Sequence, residues 1–318
     1  MSNVNSPDSA DLPPLALIAG PTASGKSDLA VRLALALKEQ GREGVVINAD
    51  SAQVYADLAV LSARPSADEM QRIEHRLFAT WDGADACSAA DWAKAARETI
   101  AEVHARGAVP ILVGGTGLYI STLLEGIAPV PPIDKAVRDA VRTLPVAEAY
   151  AALQSEDPAR AAVLGPNDAT RVARALEVVR STGKPLAAWQ QERSGGISQA
   201  VDLHPAILLP PRDWLYARCD LRFERMLQLG AIDEVRALLA RNLDPALPVM
   251  RAIGVPEIAA CLSGECSLEE AQTRGAQATR NYAKRQYTWL RNQPPSDWPR
   301  AALQDYNIGD MFVSLLRD

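Results

Sequence analysis

The chain has 318 residues, of which 48% are hydrophobic and 23% charged. That balance is ordinary for a globular protein with a substantial core and excludes a low-complexity or disordered chain. A net charge of −6 argues against a generally basic nucleic-acid binder and leaves room only for a local basic groove.

Residues 1–14 are polar and Pro-containing, with neither a basic region nor an apolar core, and read as a disordered lead-in rather than a secretory signal. No apolar run approaches the ~20 residues needed to span a bilayer, so a cytoplasmic protein with no membrane partner is expected. The four cysteines, Cys87, Cys219, Cys261 and Cys266, form no C-x-x-C pair and have no nearby His to complete a zinc set, so they read as reduced thiols.

The apolar run Leu15–Ala19 predicts a strand. Gly20, Pro21, Thr22, Ala23, Ser24, Gly25, Lys26 and Ser27 then fit G-x-x-x-x-G-K-[ST], and an amphipathic stretch follows with Leu29, Leu33, Ala36 and Leu37 on one face. Strand, Gly-rich loop and helix together are the context this phosphate-binding motif requires. Backbone N–H groups and the helix N-terminus favour an anion, Lys26 adds a point charge, and Ser27 offers a hydroxyl suited to Mg²⁺. Val45–Asn48 predicts a buried strand with Asp50 at its carboxyl end, where ligands of open α/β sheets bind. Residues 67–73 predict a helical turn capped by Ser66 with Glu69, and His75–Thr80 a strand. A helix over Ser88–Ala105, closed by Gly107, precedes a third strand, Pro110–Val113, the turn Gly114–Gly117, and a helix over Leu118–Leu124.

The pattern changes at Pro129, Pro131 and Pro132. From Asp134 to Arg193 only helical periodicity appears, over Ala136–Leu144, Ala147–Gln154, Pro158–Leu164 and Ala169–Ser181, and Gly195-Gly196 marks the exit. This predicts a helical insertion over residues 129–196 between two parts of a core, 15–128 and 197–318. His204–Leu209 returns to the sheet, and helices follow over Asp213–Leu229, Ile232–Ala240, Pro256–Leu262 and Ser267–Arg291. The alternation of strands and helices predicts an α/β fold with a parallel, doubly wound sheet.

The phosphate loop, Asp50, the Gly114–Gly117 turn and the basic stretch Arg218–Arg225 would meet in such a fold. Asp50 could ligate a metal, act as a base, or cap a helix. The strand Ile111–Val113 ends in Gly-Gly-Thr rather than in an acid, which argues against a mechanical ATPase. Arg222 by itself reads equally well as a surface charge.

Seven segments in chain order resemble the tRNA dimethylallyltransferase family: GPTASGKS, ADSAQVY from Ala49, LVGGTGLYI from Leu112, NDATRVARALEV from Asn167, RCDLRFERML from Arg218, MRAIG from Met250, and TRNYAKRQYTWLRN from Thr279. The resemblance implies a P-loop NTPase-like parallel sheet flanked by helices, with an all-helical insertion domain that binds tRNA. It implies transfer of a dimethylallyl group from dimethylallyl pyrophosphate to N6 of the adenine 3′ of the anticodon, with Mg²⁺ as cofactor and the anticodon stem-loop as partner, by a monomer of bacterial type. Asp50 would be the base, with Thr116 and Arg222 also catalytic, and Gly20–Ser27 would hold the leaving pyrophosphate. Asp50, Ser51, Ala52, Gln53 and Thr116 would face the adenine. Further tRNA contacts would come from Arg138, from Asn167, Asp168, Ala169, Thr170 and Arg171, and from Met250, Arg251, Ala252, Ile253 and Gly254. Thr279, Arg280, Asn281, Tyr282, Ala283, Lys284, Arg285 and Gln286 would reach phosphates. Arg280, Lys284, Arg285 and Arg291 lie in a stretch with no acidic residue, which supplies the local basic groove. Trp289 reads as core, while Tyr282 and Tyr287 are open. Departures from the family pattern fall at Leu61–Pro65, where Arg64 stands for a lysine, at Glu74–Arg76, and at Pro256. They are expected to shape tRNA contact. A free-nucleotide prenyltransferase, a small-molecule kinase and a non-catalytic RNA module share parts of these features.

Overall fold

The computed structural model describes residues 12–302 and 307–317. Six parallel strands run through one sheet in the order β3-β2-β4-β1-β5-β6: β1 Pro14–Ala19, β2 Gly44–Asn48, β3 Glu74–Arg76, β4 Val109–Gly114, β5 Asp202–Leu208 and β6 Arg300–Ala301. β1, β2 and β4 are apolar along nearly their whole length because helices cover a parallel sheet on both faces. The helices of this part are α1 Lys26–Glu39, α2 Ala67–Met70, α3 Ala89–Ala105 and α4 Gly117–Glu125 before the insertion. The chain divides into two compact units, and residues 124–196 form the second. Its helices are α5 Lys135–Thr143, α6 Val146–Glu156, α7 Pro158–Val163, α8 Ala169–Thr182 and α9 Leu186–Gln190. After the insertion come α10 Arg212–Gln228, α11 Ala231–Ala240, α12 Val255–Leu262, α13 Leu268–Asn292, α14 Ile308–Met311 and α15 Val313–Leu316.

Local signals account for most element boundaries. Ser66, Ser88 and Ser267 each close a capping box, with Glu69, Asp91 and Glu270, satisfying orphan N–H groups at the starts of α2, α3 and α13. Asp168 caps α8, and Gly183 ends it in the left-handed region at φ 67°. α1 lays Leu29, Ala30, Leu33, Ala34 and Leu37 against the sheet, joined by Val46, Ile111 and Val113. Each large aliphatic side chain so buried contributes about 1.5–3 kcal/mol. The second unit has its own core of Val141, Leu153, Val172 and Leu176. Among its described residues the extended pairing is a single antiparallel bridge, Ile127 to Ser194.

Some expectations need correction. Pro14 belongs to β1 and pairs with Asp202, so the lead-in ends sooner than residue 14, and residues 1–11 lie outside the described residues. The strand expected over His75–Thr80 is only Glu74–Arg76, because Leu77 and Ala79 take positive φ (61° and 54°) and turn the chain out of the sheet. Ala36 is half-buried, and Ala30 and Ala34 take its place on the inner face. β6, α9, α14 and α15 are too short to leave a periodic pattern.

The register positions the site. Ala19 pairs with Gly114, and Asn48 with Val113, so β2, β4 and β1 end at one level, side by side. Gly20 N donates to Gly114 O (3.1 Å), Ala49 N to Val113 O (2.7 Å) and Thr116 N to Ala49 O (3.3 Å). A Cβ on Gly114 would lie 2.2 Å from Ala49 O. Overpacking of this kind costs typically about 1–3 kcal/mol, so Gly114→Ala should lower the urea midpoint clearly. Gly165→Ala, where a Cβ meets nothing within 4 Å, should leave it unchanged; equal midpoints for the two variants would remove the close approach as a determinant of stability.

Candidate active site

The phosphate loop leaves β1 and enters α1 through Gly25, which takes φ 88° and offers no side-chain cap. The first amides of α1 therefore face open space with the positive end of the helix dipole behind them. Ser24 N donates to Pro21 O, closing the loop (3.2 Å). Lys26 is buried and reaches Pro21 O through Nζ (3.3 Å). Burial pulls its amine down to about 8, opposed by Asp50 and assisted by Arg222. Ser27 is half-buried in the same pocket.

One strand away, Asp50 is buried just beyond β2. Its Oδ1 accepts from Ala52 N (2.9 Å). Asn48 brackets it: Asn48 Oδ1 accepts from Asp50 N (2.9 Å), and Asn48 Nδ2 donates to Asp50 O and Leu77 O (both 3.1 Å). Trp92 Nε1 in turn donates to Asn48 O (2.9 Å). By sequence Asn48 is the end of an apolar strand; a wholly buried amide in that run is the signal that singles it out. Thr116, from the turn after β4, accepts from Ser51 N (3.0 Å). Tyr282 of α13 lines the cleft with Ser51; burial first and the Asp50 charge second push its phenol up to about 12.

Arg222 connects the two halves. It is turned inward from α10, and its Nη2 donates to Ser62 O (3.1 Å). Burial lowers its pKa, and Asp50 opposes that shift. The even chance of a surface charge is thereby removed. The loop it touches is fixed from two more sides. Gln53 Nε2 donates to Ser62 O (3.1 Å) and Ala63 O (2.9 Å), while the Glu234 carboxylate accepts from the amides of Ala59, Val60 and Leu61 (2.5–2.9 Å). Glu234 gave no sequence signal, because its partners lie about 174 positions away.

A cleft of about 290 Å³ opens between these parts. Asp50, Ser51 and Tyr282 form its polar end, Leu58, Leu61, Phe223 and Met226 its apolar wall, and Arg222 lines both this cleft and the phosphate-loop pocket. Tyr119 stacks on Trp92 (4.5 Å between centroids, 13°) and contacts Cys87, and burial raises its pKa. The lining thus combines polar groups beside Asp50, an apolar wall and a cation shared with the phosphate-loop pocket.

Other expected site residues divide between the cleft, the interior and the surface. Arg251, Ala252 and Ile253 line the cleft, Met250 lies in the preceding 3₁₀ turn, and Gly254 starts α12 at φ 98°. Of Thr279–Gln286, Thr279, Ala283 and Gln286 are buried, so their side chains do not form the solvent face expected of phosphate contacts. Arg280 pairs with Asp220, while Asn281, Lys284 and Arg285 are exposed. Gln53 is spent on the loop rather than presented outward. Trp289 is half-buried against Gly117, where a Cβ would meet its ring at 2.3 Å, and Tyr287 lies under Arg212. Arg64 shares a cavity with Ala23 and Arg218, and His75 lines the phosphate-loop pocket, so both departures neighbour the phosphate loop. In the second unit Arg138, Asn167, Ala169, Thr170 and Arg171 are exposed, and Asp168 is occupied as the α8 cap. All four cysteines are free. Among the described residues no group of three or more His, Cys, Asp or Glu could hold a metal, and no helix is long and apolar enough to cross a membrane.

The family model described as IPP transferase matches residues 53–293, well over half of the chain. A tRNA dimethylallyltransferase of Erythrobacter litoralis is 66% identical over 310 residues, covering 98% of each protein. The full-length tRNA isopentenylpyrophosphate transferase of Bacillus halodurans superposes with a TM-score of 0.67 at 32% identity, over 96% of this chain and 94% of that one. A eukaryotic dimethylallyltransferase acting on tRNA gives a TM-score of 0.74 at 29% identity, over 87% of this chain and 70% of that one.

The depressed Lys26 amine has a direct consequence. A bound polyanion favours the charged amine, so above pH 8 binding must be accompanied by proton uptake, and affinity falls as pH rises. Calorimetry with inorganic pyrophosphate should give a Kd about tenfold weaker at pH 9 than at pH 7, the dilution of the charged form one unit above the pKa. Lys26→Met should bind weakly and without this slope; a wild-type slope in that variant would assign the titration to another group.

Proposed function

The chain belongs to the IPP transferase family, and we propose that it transfers a dimethylallyl group from dimethylallyl pyrophosphate to N6 of the adenine immediately 3′ of the anticodon in tRNAs. The products are N6-isopentenyladenosine and pyrophosphate. The observation that carries this reading is the cleft itself: Arg222 borders both the chamber of Asp50, with its apolar wall of Leu58, Leu61, Phe223 and Met226, and the pocket of the phosphate loop. A kinase would need no such wall.

Adenine N6 is a weak nucleophile because its lone pair is delocalised into the ring. As the N6–C1 bond forms, a proton must leave N6, and the Asp50 carboxylate, held by Ala52 N–H and bracketed by Asn48, takes it. As the C1–O bond breaks, negative charge grows on the pyrophosphate. Lys26, Arg222 and the loop amides meet that charge, and their burial strengthens the interaction. Leu58, Leu61, Phe223 and Met226 seat the five-carbon chain and keep water from the allylic carbon. Thr116, joined to Ser51, and Tyr282 supply hydroxyls beside the base.

Mg²⁺ fits this site through Ser27, whose half-buried hydroxyl opens on the loop pocket. With no carboxylate cluster among the described residues, the ion would take its remaining oxygens from the pyrophosphate and water, as Mg²⁺ commonly does. When bound it neutralises part of the leaving group's charge. The target adenine must leave its stack to reach Asp50. Lys284 and Arg285 on the exposed face of α13 would hold the anticodon stem-loop backbone, with Arg138 and Asn167–Arg171 of the second unit as further contacts. The protein acts in the cytoplasm as a monomer.

Asp50→Ala should lower kcat for transfer to an anticodon stem-loop by about 10²-fold or more, the usual scale for losing a general base. Pyrophosphate binding should persist. Mass analysis of the stem-loop after incubation with dimethylallyl pyrophosphate and Mg²⁺ checks this, and near-normal turnover would take Asp50 out of the role.

A further inference from the structure

Helix α13 is two-sided. Lys284 and Arg285 are exposed, whereas Ala271, Gly275, Ala276, Thr279, Ala283, Gln286 and Leu290 are buried. The segment Thr279–Gln286 therefore does not act as one surface. Its last residue points at the phosphate loop: Gln286 Oε1 accepts from Thr22 N at 2.8 Å, across 264 positions of sequence. The amide cannot be turned the other way, since Nε2 and Thr22 N–H are both donors. Gln286 is only 5% exposed. Its Nε2 reaches the far side of the same gap, where a Cβ on Gly115 would lie 2.4 Å from it and 2.6 Å from Gly20 O. The side chain is thus wedged between the phosphate loop and the turn after β4, and Ala283, one turn earlier, packs with Ala23 of the loop.

We propose that Gln286 is a positioning residue for the prenyl pyrophosphate rather than a contact for tRNA. Its carbonyl oxygen fixes the Thr22 peptide, and through it the orientation of the following loop amides and Lys26. Thr22 N–H is consequently engaged by the protein, so the cradle for the leaving group is made by the other amides of the loop. This rests on the transferase reading only for the identity of the donor; the link between Gln286 and pyrophosphate affinity does not depend on tRNA.

Gln286→Met keeps length and helix propensity but removes the acceptor, leaving the buried Thr22 N–H without a partner. Loss of a hydrogen bond in that manner weakens a site by about tenfold. Steady-state assays with dimethylallyl pyrophosphate and a stem-loop RNA should show the donor KM raised about tenfold, with the RNA KM within about twofold of wild type. Calorimetry with inorganic pyrophosphate, in the absence of RNA, should show the same loss. Gln286→Asn, still polar but too short to reach Thr22, should behave alike and serves if the first variant is insoluble. Lys284→Ala, at an exposed residue outside the cleft, should give the opposite split. A raised RNA KM with unchanged donor KM in the Gln286 variants overturns the proposal, as does a uniform loss in both that tracks a lowered Tm. If the wild-type protein binds pyrophosphate but modifies no RNA, the transferase reading fails, while the calorimetric comparison still decides the role of Gln286.

Discussion

The structure depends on how closely three loops can approach at the carboxyl ends of β2, β4 and β1. Gly114 and Gly115 stand where any Cβ would run into backbone, 2.2 Å from Ala49 O and 2.6 Å from Gly20 O. Because those two positions are bare, the loop after β2 and the loop after β1 close over the end of β4 and hydrogen-bond to it. Asp50 and the phosphate loop thereby face one another although β4 separates their strands. The turn after β4 needs no catalytic side chain in its first two residues; its contribution is the absence of bulk. Thr116, the first residue past the constriction, is also the first there to contribute a hydroxyl.

The closeness brings an electrostatic tension that the surroundings resolve in part. Lys26 and Arg222 are both pushed toward their neutral forms by burial, and Asp50 is the compensating charge common to them. Asp50 thereby favours the charged forms of both cations. Glu234 does not enter this balance, because its carboxylate is consumed by three amides of the loop that Arg222 grips.

Much of this was legible in the sequence, and the exceptions share a cause. The phosphate loop, the Asp50 strand, the Ser66 cap of α2 and the four longer helices of the insertion follow from short-range rules: periodicity, capping chemistry and glycine placement. Local pattern does not distinguish the two sides of a charged helix. α10 carries Arg218, Arg222 and Arg225 within two turns, and nothing nearby says that Arg222 turns inward while Arg225 is exposed. Asn48, Glu234 and Gln286 escaped for a related reason. Each is a polar residue whose partners are fixed by the fold, and for Glu234 and Gln286 they are far away in sequence. The family resemblance carried Gln286 and Thr279 along with their neighbours as RNA contacts, yet the helix period of 3.6 alternates faces within that segment. Resemblance transfers a stretch; burial assigns each residue within it.

The same geometry explains why the acid is after β2 and not at the end of β4. A carboxylate at position 114 would need a Cβ where Ala49 O lies, and at 115 one where Gly20 O lies, so no metal-binding acid fits beside the loop without parting the strands. Lys26, Arg218 and Arg222 bring positive charge to the phosphate-loop pocket, which Ser27 also lines. A nucleotide-hydrolysing site needs an acid near the metal and a positioned water. Closing the sheet ends tightly therefore removes the space for a metal-binding acid at the end of β4 and leaves Asp50, after β2, as the carboxylate that lines the cleft together with Arg222.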